Sequence, residues 1–353
     1  MSQPITMVSV TDIDTMMSPR SERRMDMPGF DAEFVDFPHY IIRITERIWH
    51  DREVDLCFKW YAPDCIIHTL AGPISGAQTV VDNTWATLRA FPDRRLDGDN
   101  VVWSAEGDGA FLSSHLITSK MTNLGDSDFG PATGRKVLVR TVADCLCREN
   151  RVVEEWLVRD NLALVTQLGF DPVAVASRQA AADNAAGQTL VARLAPYWSA
   201  VLDLPDAQAQ TPAARIAVDL LQARWSQPDQ SLARQLSDFR LNAWVPGGQF
   251  LYGPDQTWEW QEGIRSAIPG ARLRVEHIAE VPYLGDARDV AVRWSVSGHH
   301  LGAGRYGMAT GVPLHILAVS HFRIINGRVR EEVTVWDDIA VIRQVASAAH
   351  PVS

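Results

Sequence analysis

The stretch FGPATGRKVLVRTVADCLCRENRVVEEWLVRDNLALVTQ (129–167) returns 177 positions later as YGMATGVPLHILAVSHFRIINGRVREEVTVWDDIAVIRQ (306–344), with 13 identities in 39 gap-free positions. Chance for such a composition would give roughly two or three. Among the identical pairs are Gly130/Gly307, Glu154/Glu331, Glu155/Glu332, Asp160/Asp337 and Gln167/Gln344, and the same offset aligns Gly76 with Gly253. A period this long means two copies of a whole domain rather than a solenoid. The first copy is expected over 36–173 and the second, more diverged, over 190–347. An Ala-rich linker, part helix, would fill 174–189, and residues 1–35 read as a disordered or extended tail.

Two domains also suit the length, since 353 residues allow about 150 for each. A net charge of -10 and the absence of a Lys/Arg-rich run argue against nucleic acid or an anionic membrane as partner. A small organic ligand or another protein fits better. The four cysteines, Cys57, Cys65, Cys145 and Cys147, include no CxxC pair, so they read as reduced, buried residues and no metal is expected. With no apolar signal region and no apolar run of about 18 residues, a cytoplasmic location is expected.

Each copy has the same order of patterns. Helical spacing comes first (YIIRITERIWHD; TPAARIAVDLLQARW), and long alternating strands close the copy (AFLSSHLITSKM, KVLVRTVADCLC, RVVEEWLV; DVAVRWSVSG, PLHILAVSHFRI, RVREEVTVW). Asn326-Gly327 marks a two-residue hairpin turn, and Glu149-Asn150 makes the same turn by alignment. Helices first and a meandering sheet afterwards predict an α+β fold: two tandem cone-shaped α+β barrels, each a curved antiparallel sheet wrapped over helices.

In EEWLVRDNLALVTQLG (154–169), strand alternation gives way to helical spacing at Asp160. An aspartate there could cap the helix. It could equally hold a proton at the depth of an apolar cavity, because burial raises a carboxyl pKa toward neutrality. An unbulged hairpin would set Trp156, Val158 and Asp160 on one face beside Ala143, Thr141 and Val139, with Glu155 and Asp144 on the other; a bulge would reverse the faces. His68 and His115 on neighbouring strands are candidate hydrogen-bonding partners, and Trp103 and Trp156 are candidate flat walls for a ring-shaped ligand. The second copy holds Trp244 and Val292 in place of the two histidines. It keeps Asp337 and has His321 where the first copy has Asp144.

The run from YAPDCIIHT through AFPDRRL and FGPATGRK to RVVEEWLVRDNLALVTQLG resembles a SnoaL-like domain, the polyketide cyclase branch of the nuclear-transport-factor-2-like superfamily. The second copy resembles it more loosely. The resemblance implies a cone that dimerises through its outer sheet face, so that a homodimer or an intramolecular pseudo-dimer is expected. It also implies chemistry without metal or cofactor: an aspartate, best matched by Asp160, takes a proton next to a carbonyl of a hydrophobic small molecule and an enolate closes a ring. The histidine of that chemistry has no secure match, since Thr141 and Ala143 occupy the facing positions. The expected function is therefore a cyclase, isomerase or lyase using Asp160 with His115 or His68, and the alternative is a non-catalytic binding module of the same fold.

Overall fold

The structure, a computed structural model, describes residues 8–17 and 22–349. Two six-stranded sheets carry the repeat. In the first copy, α1 (Ile13–Met17), α2 (Phe37–Thr45) and α3 (Cys57–Trp60) precede β1 (Tyr61–His68) and β2 (Ile74–Ser75). Then come α4 (Ala77–Ala90), β3 (Arg95–Gly107), β4 (Ala110–Thr122), β5 (Lys136–Arg148) and β6 (Arg151–Arg159). Three helices follow, α5 (Asn161–Leu168), α6 (Pro172–Ala185) and α7 (Leu190–Leu202). The second copy repeats the pattern with α8 (Pro212–Trp225), α9 (Gln230–Leu236), β7 (Ser237–Val245), β8 (Gln249–Tyr252) and α10 (Gly253–Arg265). It closes with β9 (Arg272–Pro282), β10 (Arg288–His299), β11 (Pro313–Ile325), β12 (Arg328–Trp336) and α11 (Asp338–Ala346).

The strand orders are β2-β1-β6-β5-β4-β3 and β8-β7-β12-β11-β10-β9. The closing strand of each copy returns to pair in parallel with the first long one, β6 with β1 and β12 with β7. Both sheets keep free edges, so they are open cones rather than closed barrels. Glu149 (φ 48°) and Asn150 (φ 67°) make the first hairpin turn and Asn326 (φ 51°) and Gly327 (φ 72°) the second, the left-handed pair that a two-residue turn requires. Gly76 (φ 86°) and Gly253 (φ 79°) occupy the same place ahead of or at the start of a helix, where a side chain would be strained.

The chain forms two compact units, and the division falls inside β6, at Leu157/Val158. Helices α5, α6 and α7 belong with the second unit, so the expected linker 174–189 is largely structured. Asp183 near the end of α6 is buried and paired with Arg343 of α11 and Arg193 of α7. Alanine-rich helices lack a strong apolar stripe, and their small side chains instead permit close helix packing.

The expected tail also needs correction. Residues 1–7 and 18–21 lie outside the described residues, but Met16, Met27, Phe30 and Phe34 are buried in the core of the first unit. Phe30 packs edge-on against Phe37, Tyr40 and Phe111. Arg23 donates to the carbonyls of Met27, Phe30 and Asp31, which holds the segment in a loop without regular structure. Four large apolar residues at irregular spacing give no periodic signal, yet burying them stabilises the segment.

Candidate functional site: the inner face of the first sheet

Asp160 is the N-cap of α5. Its Oδ1 accepts from the amides of Ala163 (3.0 Å) and Gly247 (2.8 Å), and its Oδ2 accepts from the amide of Gly248 (2.9 Å). Gly247 and Gly248 form the β7–β8 turn, so the carboxylate ties a helix start to a hairpin within the second unit. Burial raises its pKa and the three amides pull it back. Three of the roughly four lone-pair sites of a carboxylate are thus spent on backbone donors. This arrangement favours the capping reading of Asp160 over proton transfer.

The faces of β6 are the reverse of those an unbulged hairpin gives. Glu155 pairs in register with Ile67, a core residue, and its charge reaches Cys57, Cys65, Cys145, Cys147 and Tyr61, so it points into the cone; it is 4% exposed. Trp156 pairs with His68 on the opposite face, where the two rings stack at 5.2 Å and His68 Nε2 meets Glu154 Oε1 at 2.7 Å. Val158 follows Trp156 by strand alternation. The second hairpin carries a bulge between Arg323 and Ile324, and the faces of β6 match those that a bulge at the equivalent place would give. An extra residue in one strand moves every later side chain to the other face.

Trp103, Ser113, His115 and Thr141 lie on the inner face with Cys145. The register places Trp103 beside Ser113, Val101 beside His115, Ser113 beside Cys145 and His115 beside Ala143. Around them are Phe37 and Tyr40 of α2, with Val101 and Phe111 of the sheet. His115 is 2% exposed, and burial alone holds its pKa down at about 3, so the ring is neutral. A Cβ at Gly98 would sit 2.8 Å from His115 Nε2, so a glycine is needed where the ring passes β3. Three buried atoms in this group have no hydrogen-bond partner: Trp103 Nε1, Ser113 Oγ and His115 Nε2. The cysteines beside them are free and buried, and burial raises the Cys57 and Cys65 thiols to about 12, which leaves them inert.

The second sheet treats its interior differently. Ser113 and His115 are matched by Val290 and Val292, which pair with Phe322 and Ser320 as their counterparts pair with Cys145 and Ala143. Glu332, the counterpart of Glu155, receives both of its oxygens' bonds from Arg224 Nη1 (2.9 and 2.8 Å) and another from Thr334 Oγ1 (2.9 Å). Thr334 continues to Ser320, and Ser320 accepts from Trp294 Nε1. Trp336 Nε1 and Tyr306 OH both donate to Asp338 Oδ1. This network bonds its members to one another. His321 faces Val333, and Val333 pairs with Trp244, so both residues lie on the face away from Glu332.

Against family models, two segments, 39–168 and 215–345, match SnoaL-like polyketide cyclase. The chain belongs to this family. Among solved structures it is similar to a SnoaL-like protein from Jannaschia sp. CCS1 (18% identity, 40% of this chain and 99% of that one, TM-score 0.34). It is also similar to AclR from Streptomyces galilaeus (26%, 35% and 90%, TM-score 0.31) and TsrD from Streptomyces laurentii (18%, 38% and 98%, TM-score 0.33). Each of these spans one copy's worth of the chain. The comparison with curated proteins returned no match.

The two SnoaL-like copies of this chain share the aspartate cap but not its surroundings. Asp337 caps α11 through the Ala340 amide (3.1 Å) and accepts from Asn161 Nδ2 (2.6 Å). Burial pushes its carboxyl up to about 6, with the charges of Asp338 and Asp160 adding to the rise. A raised carboxyl pKa means the folded state holds the proton more tightly than the unfolded chain. The contribution of Asp337 to stability is therefore greatest in acid and falls as pH rises from about 4 to about 6, by on the order of 3 kcal/mol, and then levels. Urea unfolding across that range checks this. Asp337→Asn, which can still cap, should flatten most of the slope, and an unchanged slope in the variant would assign it elsewhere. Among the described residues no group of His, Cys, Asp and Glu is placed to hold a metal ion, and no helix is long and apolar enough to cross a membrane.

Proposed function

We propose that the first unit binds a hydrophobic, carbonyl-bearing ring compound of the polyketide type against its inner sheet face, and acts on it as a cyclase- or isomerase-class catalyst. The observation that carries this is the row of buried, unpartnered polar atoms, Trp103 Nε1, Ser113 Oγ and His115 Nε2, set in an aromatic wall. A buried polar group without a partner costs about 1–3 kcal/mol, and natural cores keep few of them without a functional reason. Two donors and a neutral imidazole on an apolar surface suit a carbonyl oxygen on a flat ring system. Valine at the positions of Ser113 and His115 in the second copy argues that the group set is not needed for the fold.

A hydroxyanthraquinone titrated against tryptophan fluorescence tests the reading. Ser113→Ala and His115→Phe should each weaken binding about tenfold, the worth of one hydrogen bond. Phe250→Ala, on an exposed strand of the other sheet, should leave it unchanged. Unaltered affinity in both first-sheet variants would contradict the proposal. The absorption of Asp160 into backbone bonds favours a second reading, a binding module without turnover. That reading makes the same binding prediction and differs only in the fate of the ligand.

A further inference from the structure

The segment ahead of α2 closes on itself. The amides of Arg24 and Met25 both donate to the carbonyl of Val35 (2.8 and 3.2 Å), so the ends of the stretch 24–35 meet. Arg23 stitches its interior through the carbonyls of Met27, Phe30 and Asp31. A compact surface loop with its ends tied together can move as one piece, and loops of this kind often carry function. This one rests on both hairpin turns at one end of the first sheet. A Cβ at Gly109, in the β3–β4 turn, would meet Pro28 Cγ at 2.8 Å, and a Cβ at Gly29 would meet Glu149 Cα, in the β5–β6 turn, at 3.0 Å. The close seating depends on those two glycines.

From this seat the loop inserts Phe30 into an aromatic box, edge-on to Phe37 (6.4 Å between ring centres), Tyr40 (5.0 Å) and Phe111 (5.8 Å). Phe111 stands two residues before Ser113 on the same face of β4. Phe111 and Phe37 both reach the Trp103 ring, at 6.3 and 6.1 Å. The box therefore adjoins the row Trp103, Ser113 and His115, and a flat ring standing where Phe30 stands would turn a carbonyl oxygen toward that row. In α8, which opens the second copy, the first aromatic residue is Trp225, so its earlier turns offer nothing like Phe37 and Tyr40. The polar ties of Asp31 to its surroundings are slight. It pairs with Lys59 at 2.7 Å with both side chains well exposed, and its amide reaches Asn150 Oδ1 at 3.4 Å. An exposed pair contributes little. Met27, Phe30 and Phe34 hold the loop shut by burial.

We propose that residues 24–35 are a lid on the first-unit site, and that Phe30 occupies the position of the ligand's ring while the lid is shut. This rests on the binding reading above and adds to it the place of the ring and the means of entry. Ligand and Phe30 exclude one another, so the measured affinity is the intrinsic one scaled by the fraction of molecules whose lid is open. The exchange conserves contacts, because the ring that enters remakes those that Phe30 gives up to Phe37, Tyr40 and Phe111. The carbonyl bonds of Arg23 lie within the segment and survive its lifting. Lifting also opens a way to Ser113 and His115, which are 0% and 2% exposed with the lid shut.

A reversible lock tests the lid. A Cβ at Gly109 would lie 3.9 Å from Pro28 Cβ, within the span of a disulfide. The double variant Pro28→Cys/Gly109→Cys is therefore locked shut when oxidised, as mass spectrometry verifies, and released by dithiothreitol. Both forms carry the same substitutions, so strain at position 109 cancels in the comparison. Titrated with the hydroxyanthraquinone alizarin and followed by tryptophan fluorescence, the oxidised form should bind at least about tenfold more weakly than the reduced form. Phe30→Ala, which empties the box, should bind alizarin at least about threefold more tightly than wild type, and it keeps the proposal testable if the double variant does not fold. Equal affinity in the oxidised and reduced forms, or weaker binding by Phe30→Ala, overturns the lid and leaves the binding reading intact. Absence of alizarin binding in wild type, the reduced variant and Phe30→Ala alike overturns the binding reading, and the lid with it.

Discussion

Asp160→Ala is expected to lower the unfolding free energy of the second unit by about 3 kcal/mol, while leaving ligand affinity at the first sheet within twofold of wild type. The loss has two parts. Removing an N-cap aspartate costs about 1 kcal/mol. Leaving the amides of Gly247 and Gly248 without their acceptor adds about 1 kcal/mol for each, at the low end because the turn is only partly buried. Asp160→Asn should lose less, since its side-chain carbonyl can still cap α5. Urea denaturation followed by tryptophan fluorescence measures both. A loss below about 1 kcal/mol for the alanine variant would mean that the clamp seen around Asp160 contributes little.

Arg224→Met should cost still more, about 4 kcal/mol, because it strands the Glu332 carboxylate in a site where both partners are about 95% buried. The double variant Arg224→Met/Glu332→Gln should recover most of that loss. A neutral amide keeps an acceptor for Thr334 Oγ1 and removes the uncompensated charge. If the double variant is as unstable as the single one, the arginine acts through packing and its bond to Thr257 rather than through the charge pair.

The repeat makes the architecture readable in the sequence. The identical Gly76/Gly253 and Asp160/Asp337 pairs mark a helix entry and a helix cap, and both recur with the same backbone role in each copy. Chemistry was harder to read, because it depends on which way side chains face. The faces of β6 are the reverse of those an unbulged hairpin gives, and no residue type in RENRVVEEW announces it. Trp156 and His68 thereby left the interior, and Glu155 entered it. The useful signal was the difference between copies: Ser113 and His115 against Val290 and Val292. Identity marked what the fold needs, and divergence marked where the proposed site differs between the copies. The π-turn over Glu46–His50 was not legible at all, since ERIWH follows ordinary helical spacing and the turn appears only in the backbone.

The central claim is that the ligand site lies on the inner face of the first sheet and not at the aspartate where strand becomes helix. Calorimetric titration of one hydroxyanthraquinone into wild type, His115→Phe and Asp160→Asn places the two side by side. The predicted result is a loss of about tenfold in affinity for His115→Phe and less than twofold for Asp160→Asn. The reverse order, with Asp160→Asn crippled and His115→Phe intact, would contradict it.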